Sequence, residues 1–101
     1  MLVRKLIEEK VIKGKQIIVG PGECLFKAGE KPAFLYYLKN GHVRLTGTLK
    51  DELSVQDIFE CKLIGLPELM LDAHTTTAEV LAASELIKID RNTFQELLHR
   101  N

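Results

Sequence analysis

The sequence predicts one mostly β domain, an antiparallel sandwich or jelly roll with a short helix at each end. Three observations carry that prediction. Eight β-rich runs follow one another between residues 16 and 89, each bounded by turn residues. No long helical pattern interrupts them. The two ends, by contrast, space their apolar residues three and four apart, as an amphipathic helix does.

At the N-terminus Leu2, Val3, Leu6, Ile7 and Val11 form one apolar stripe, with Arg4, Lys5, Glu8, Glu9 and Lys10 opposite. This first helix spans residues 2–13 and stops near Lys13 and Gly14. The β region, residues 15–90, then reads as Gln16–Val19, Glu23–Phe26, Phe34–Lys39, His42–Leu49, Leu53–Ile58, Lys62–Ile64, Thr75–Ala82 and Glu85–Ile89. Asn40-Gly41 falls between the third and fourth runs. That dipeptide supplies the two positive φ angles of a type I′ turn, so the two runs are expected to form a hairpin. In the fourth run Val43, Leu45, Gly47 and Leu49 alternate with His42, Arg44, Thr46 and Thr48, which marks one buried and one wetter face. A short helical turn is expected near Pro67–Leu71. Asp90 then caps a last helix, residues 91–100, whose apolar stripe is Phe94, Leu97 and Leu98. With 101 residues, the chain makes a single domain over 1–101.

Composition excludes several classes. Hydrophobic residues at 46% and charged residues at 28% describe a globular mixture, not a disordered one. No apolar run approaches the ~18 residues of a membrane span, and the charged N-terminus is unlike a secretory signal, so a cytoplasmic location is expected. Net charge is zero, which removes any general electrostatic ground for binding nucleic acid or an anionic membrane. The charges are nonetheless uneven: residues 1–50 hold ten Lys/Arg and four Asp/Glu, residues 51–101 four and ten. Interleaving of the two halves in a sandwich would mix them in space.

Cys24 and Cys61 lie far apart and read as small reduced core residues. No two of Cys24, Cys61, His42, His74 and His99 have metal-ligand spacing, and neither a metal nor another cofactor is expected. Catalysis is excluded on the same ground: the three histidines stand alone, without a nucleophile–base or paired-carboxylate arrangement.

Several segments together resemble the cyclic-nucleotide-binding domain of catabolite-activator-type regulators and kinase regulatory subunits. They are Pro21-Gly22-Glu23-Cys24-Leu25-Phe26-Lys27-Ala28-Gly29-Glu30, then Leu35-Tyr36-Tyr37-Leu38-Lys39-Asn40-Gly41-His42-Val43-Arg44-Leu45, then Ile64-Gly65, Ala78-Glu79-Val80-Leu81-Ala82 and the stretch from Leu86 to Leu98. Their order matches the family over residues 14–100. The resemblance implies the jelly roll, a double-stranded antiparallel β-helix, and a phosphate-binding cassette between two late strands. In the family the cassette carries a Gly-Glu pair and, about ten residues on, an Arg before a small hydroxyl residue. The Arg pairs with the cyclic phosphate, and the Glu takes the ribose hydroxyl.

Aligned without gaps, the cassette of this chain keeps the Gly as Gly65, but the Glu position is Leu66 and the Arg position is Thr76. Thr77 keeps the hydroxyl and Ala78 follows it. A shift of two residues offers Glu68 as the ribose acid, while no shift supplies an arginine. Gly65, Leu66, Glu68, Thr76, Thr77 and Ala78 are therefore the candidate ligand residues of a vestigial cassette. Two readings follow. One is a regulatory sensor that binds cyclic AMP and cyclic GMP poorly and takes another small ligand, with Leu66, Met70 and Leu71 making the cassette apolar. The other is an interaction or dimerisation module without a small ligand. The surplus of apolar positions at Val3, Ile7, Phe94 and Leu98 points to a homodimer. His74, a lone loop histidine, reads as exposed rather than as a haem ligand. Relatives that read DNA continue into a helix-turn-helix, which this chain lacks, so no nucleic-acid contact is expected through it.

Overall fold

Two long strands organise the fold. The computed structural model describes residue 5 and residues 13–49, 51–66 and 68–99. The strands are β1 (Lys15–Val19), β2 (Cys24–Phe26), β3 (Phe34–Leu49), β4 (Glu52–Ile58), β5 (Lys62–Ile64) and β6 (Thr76–Asp90), and α1 (Arg91–His99) follows. The antiparallel jelly roll predicted from the sequence is present. Among the described residues its strands number six rather than eight, because four of the predicted runs fuse in pairs into β3 and β6. The predicted N-terminal helix lies outside the described residues, apart from Lys5, which is helical. Among the described residues no helix is long and apolar enough to cross a membrane.

β3 and β6 pair antiparallel almost end to end, from Phe34 opposite Asp90 to Gly47 opposite Thr76. Shifts of register near residues 38–43 bend the pair in the middle. On one side of the bend, β1 joins β6 and β5 joins β3; on the other, β2 joins β6 and β4 joins β3. The registers thus divide the ladder into two four-stranded sheets that share their central strands. Phe26, Tyr36, Leu38, Val43, Ile58, Ile64, Val80 and Leu86 face one another between these sheets and form the main core. A second cluster of Leu35, Tyr37, Leu69, Ile89 and Phe94 fills the space beneath α1. As predicted, Asp90 caps that helix: its Oδ1 accepts the Asn92 N–H at 2.8 Å. Phe94 of the predicted stripe is buried, while the side chains of Leu97 and Leu98 lie outside the described residues.

The Asn40-Gly41 hairpin is not formed. A type I′ turn needs positive φ at both residues, and here only Gly41 has it, at 126°. The segments on either side pair with β6 instead of with each other. Gly41 is the bend itself. A Cβ there would lie 2.7 Å from Ser84 Cα, so the two backbones can cross this closely only at glycine. Ser84 is buried opposite it; its Oγ accepts the His42 N–H at 3.1 Å and donates to the Ala82 carbonyl at 2.7 Å. The cysteines are not core residues either. Cys24 is exposed on β2, and Cys61 is half-buried in a turn at φ 55°; both are free thiols.

Gly41→Ala should therefore destabilise the domain by about 3 kcal/mol through overpacking and a strained φ. The urea midpoint should fall, and adding Ser84→Gly should recover part of the loss. An unchanged midpoint in Gly41→Ala would contradict the close crossing.

Candidate functional site

The cassette connects β5 to β6. It begins at Gly65, whose φ of 92° turns the chain off the end of β5 beside the Phe26 ring. Two successive i+3 hydrogen bonds follow, from Leu69 N–H to the Leu66 carbonyl at 3.2 Å and from Leu71 N–H to the Glu68 carbonyl at 3.0 Å. They form the short turn predicted in this region, although Pro67 is outside the described residues. Leu69 anchors the turn, 1% exposed in the cluster under α1, and Leu66 packs against the same cluster. The expected apolar pocket of Leu66, Met70 and Leu71 does not form. Leu66 turns to the helix side, while Met70 and Leu71 are exposed to solvent.

Glu68 is the centre of the site. Its carboxylate is buried and accepts hydrogen bonds from four neighbouring groups besides a close one from the Thr75 N–H. Oε2 accepts the Thr75 hydroxyl at 2.6 Å and the Thr76 N–H at 2.9 Å; Oε1 accepts the Thr76 hydroxyl at 3.1 Å and His74 Nδ1–H at 3.2 Å. Burial alone pushes Glu68 toward protonation. The hydrogen bonds from Thr75, His74 and Thr76 outweigh it and hold the carboxyl below its ordinary value of 4.5. Glu68 thus points into its own loop.

His74 is not the exposed loop residue that its isolation in sequence suggests. It is 4% exposed, with its ring stacked on Phe26 at 3.8 Å between centroids and 8° between planes. Its backbone bonds both ways to the β2–β3 turn, donating to the Glu30 carbonyl and accepting the Gly29 N–H, each at 2.8 Å. The Thr77 hydroxyl accepts the Ala28 N–H at 3.0 Å from that turn, and Ala78 is fully buried in the core. His42 is not alone either: its ring stacks on Phe59 and its Nε2 lies 3.0 Å from Asp57 Oδ1. Beside His74 a cleft of about 400 Å³ opens, walled by Phe26, Tyr36 and Phe34, with Glu30, Lys31 and Lys88 at its edge.

Chemically, the loop is an anion cradle. Two consecutive N–H groups and two hydroxyls converge on one negative group, and the chain itself supplies that group. Among the described residues no cluster of three His, Cys, Asp or Glu side chains has the arrangement to hold a metal ion. A family model described as the cyclic nucleotide-binding domain matches residues 16–101. The chain belongs to the cyclic nucleotide-binding domain family.

Solved structures agree on the fold of this cyclic nucleotide-binding domain. The c-di-GMP-responsive global regulator CLP of Xanthomonas campestris is 19% identical, with a TM-score of 0.78 over 95% of this chain and 48% of that one. The catabolite activator protein of Thermus thermophilus is 19% identical, with a TM-score of 0.77 over 99% of this chain and 47% of that one. The regulatory domain of Toxoplasma gondii PKA, solved with cAMP, is 19% identical, with a TM-score of 0.72 over 81% of this chain and 32% of that one. The chain thus spans about half the length of the two regulators. Among curated proteins none matches it.

Since the folded pKa of Glu68 lies below 4.5, its contribution to stability is complete above that value and is lost as pH falls through the folded pKa. Glu68→Gln should lower stability at neutral pH by about 3 kcal/mol, because His74, Thr75 and Thr76 lose the buried charged acceptor they share. It should also flatten the acid limb of the stability curve. Some slope will remain from Asp57, held low by Arg44 and His42, and from Glu85, held low by Asn40 and Lys39. Urea unfolding of both proteins between neutral and acid pH checks this; parallel acid limbs would contradict it.

Proposed function

We propose that this domain is a non-catalytic regulatory module, acting in the cytoplasm, that does not hold cyclic AMP or cyclic GMP tightly. One observation carries the reading. The groups that an incoming phosphate would use, the N–H and hydroxyl of Thr75 and Thr76, already bond to the Glu68 carboxylate. A cyclic phosphate carries a permanent negative charge, so it must displace that carboxylate or sit against it. The arginine that would oppose the repulsion is missing, because Thr76 stands where the family places it. An arginine makes two charge-assisted hydrogen bonds of about 1.5–3 kcal/mol each, so its loss removes two to three decades of affinity or more. Leu66, at the position of the ribose acid, is packed under α1 and offers no acceptor. A regulatory role with another small ligand fits a family fold whose cassette is closed on itself.

Calorimetric titration tests this directly. The unmutated domain should bind each nucleotide no tighter than about millimolar. Leu66→Glu and Thr76→Arg together with Glu68→Gln restore the missing groups and remove the internal anion, and should bring binding into the micromolar range. Micromolar binding by the unmutated chain would overturn the reading.

A second reading, a dimerisation module, is favoured by the outer face of the β3–β4 sheet. Leu53 is 72%, Phe59 57% and Val55 50% exposed there, on or just beyond a strand with a free edge. Light scattering should give a dimer mass that Leu53→Ser with Val55→Ser returns to a monomer. A monomer mass for the unmutated protein at high concentration would end this reading.

A further inference from the structure

At the end of the roll away from the bend, the register places two lysines face to face. Lys15 of β1 lies opposite Lys88 of β6, and opposed residues in an antiparallel pair share one face of the sheet. Lys88 in turn lies opposite Tyr36, whose ring is in the main core, so this is the inner face at the mouth of the roll. Like charges in this position are destabilising. Lys88 Nζ sits 3.9 Å from the centroid of the Phe34 ring, a cation–π contact.

The surroundings add to the imbalance. Lys13, Lys15 and Lys88 line a cleft of about 470 Å³ together with Phe34 and Thr93. Its one acid, Asp90, is engaged as the cap of α1. Among the described residues no carboxylate lies within ion-pair distance of Lys13, Lys15 or Lys88. Elsewhere the chain does pair its cations, Lys39 with Glu85 at 3.2 Å and Arg44 with Asp57 at 2.8 Å. The volume falls within the range of small-molecule sites.

The geometry points to a binding site here for a small organic dianion, an apolar ring or short body carrying carboxylate or phosphate groups. Lys13, Lys15 and Lys88 neutralise the anionic groups and so relieve their own repulsion. The Phe34 face takes the apolar part, and the Thr93 hydroxyl donates to an anionic oxygen. The site shares Phe34 and Lys88 with the cleft beside His74 but takes no group from the cassette itself, and it does not depend on whether the cassette binds a cyclic nucleotide.

NMR titration of the full chain tests this with three probes: isophthalate, phenyl phosphate and the neutral benzyl alcohol. At low salt at least one dianion should saturate shifts at the Gly14, Lys15 and Thr93 amides with a Kd below about 1 mM, and added salt should weaken it. Which dianion binds tighter distinguishes a carboxylate ligand from a phosphate one. Benzyl alcohol should not saturate. Lys88→Met and Lys15→Gln should each weaken binding about tenfold, and Lys39→Gln should leave it unchanged. Lys15→Gln should also raise the Tm of the ligand-free protein, which a merely structural lysine would not do. The inference is overturned if neither dianion saturates by about 10 mM, if Lys39→Gln weakens binding as much as Lys15→Gln, or if Lys15→Gln lowers the Tm.

Discussion

The crossing of β3 and β6 at Gly41 and Ser84 is the constraint on which the rest of the molecule depends. Each strand must serve two sheets, so each must bend sharply without losing its partner. Gly41 permits the bend because its positive φ and missing side chain let the backbones approach. Ser84 takes up polar groups at the irregularity, holding the His42 N–H and the Ala82 carbonyl. With that crossing in place, Tyr36, Leu38 and Leu86 from one sheet meet Val43, Val80 and Ala78 from the other. Short strands then add at the edges, and α1 closes the outer face over Leu35, Tyr37 and Ile89.

The same framework positions the cassette. β5 ends and β6 begins at fixed places on the two sheets, and the loop between them must satisfy its own polar groups over a short span. It does so with Glu68, whose carboxylate accepts the N–H and hydroxyl groups of Thr75 and Thr76. The arrangement is well determined. Thr75 and Thr76 hold Glu68, the His74 ring stacks on Phe26, and the His74 backbone ties the loop to the β2–β3 turn. A buried carboxylate with this many donors is costly to displace, since each donor would lose a charged partner. In the state described, the N–H and hydroxyl groups of Thr75 and Thr76 are taken up by the chain's own carboxylate.

Charge is distributed differently at the mouth of the roll. The cations of residues 1–50 mix with the acids of residues 51–101 only in part: Lys39 pairs with Glu85 and Arg44 with Asp57, while β1 places Lys15 on the same rung as Lys88. Four of the ten acids of residues 51–101 are used elsewhere, Asp57 and Glu85 in ion pairs, Glu68 in the cassette and Asp90 at the helix cap. The roll thus carries a closed acidic loop and an open basic mouth within one small domain.

Much of this was legible in the sequence, and the boundary has a physical cause. Period-two alternation and turn residues predicted a mostly β chain, and the capping of α1 by Asp90 followed from local chemistry alone. The absence of an arginine at Thr76 was likewise a fact of composition that no folding could alter. Asn40-Gly41 misled because a hairpin is a local preference. Pairing of both flanking segments with β6, residues distant in sequence, overrode it. His74 misled for a related reason: it looks isolated along the chain, and only the folded loop brings its ring to the Glu68 carboxylate in a buried position. Local propensities and missing groups were determined by the sequence itself. Which polar groups satisfy one another, and which cations are left facing each other, was decided by the tertiary structure, because that depends on register between strands tens of residues apart.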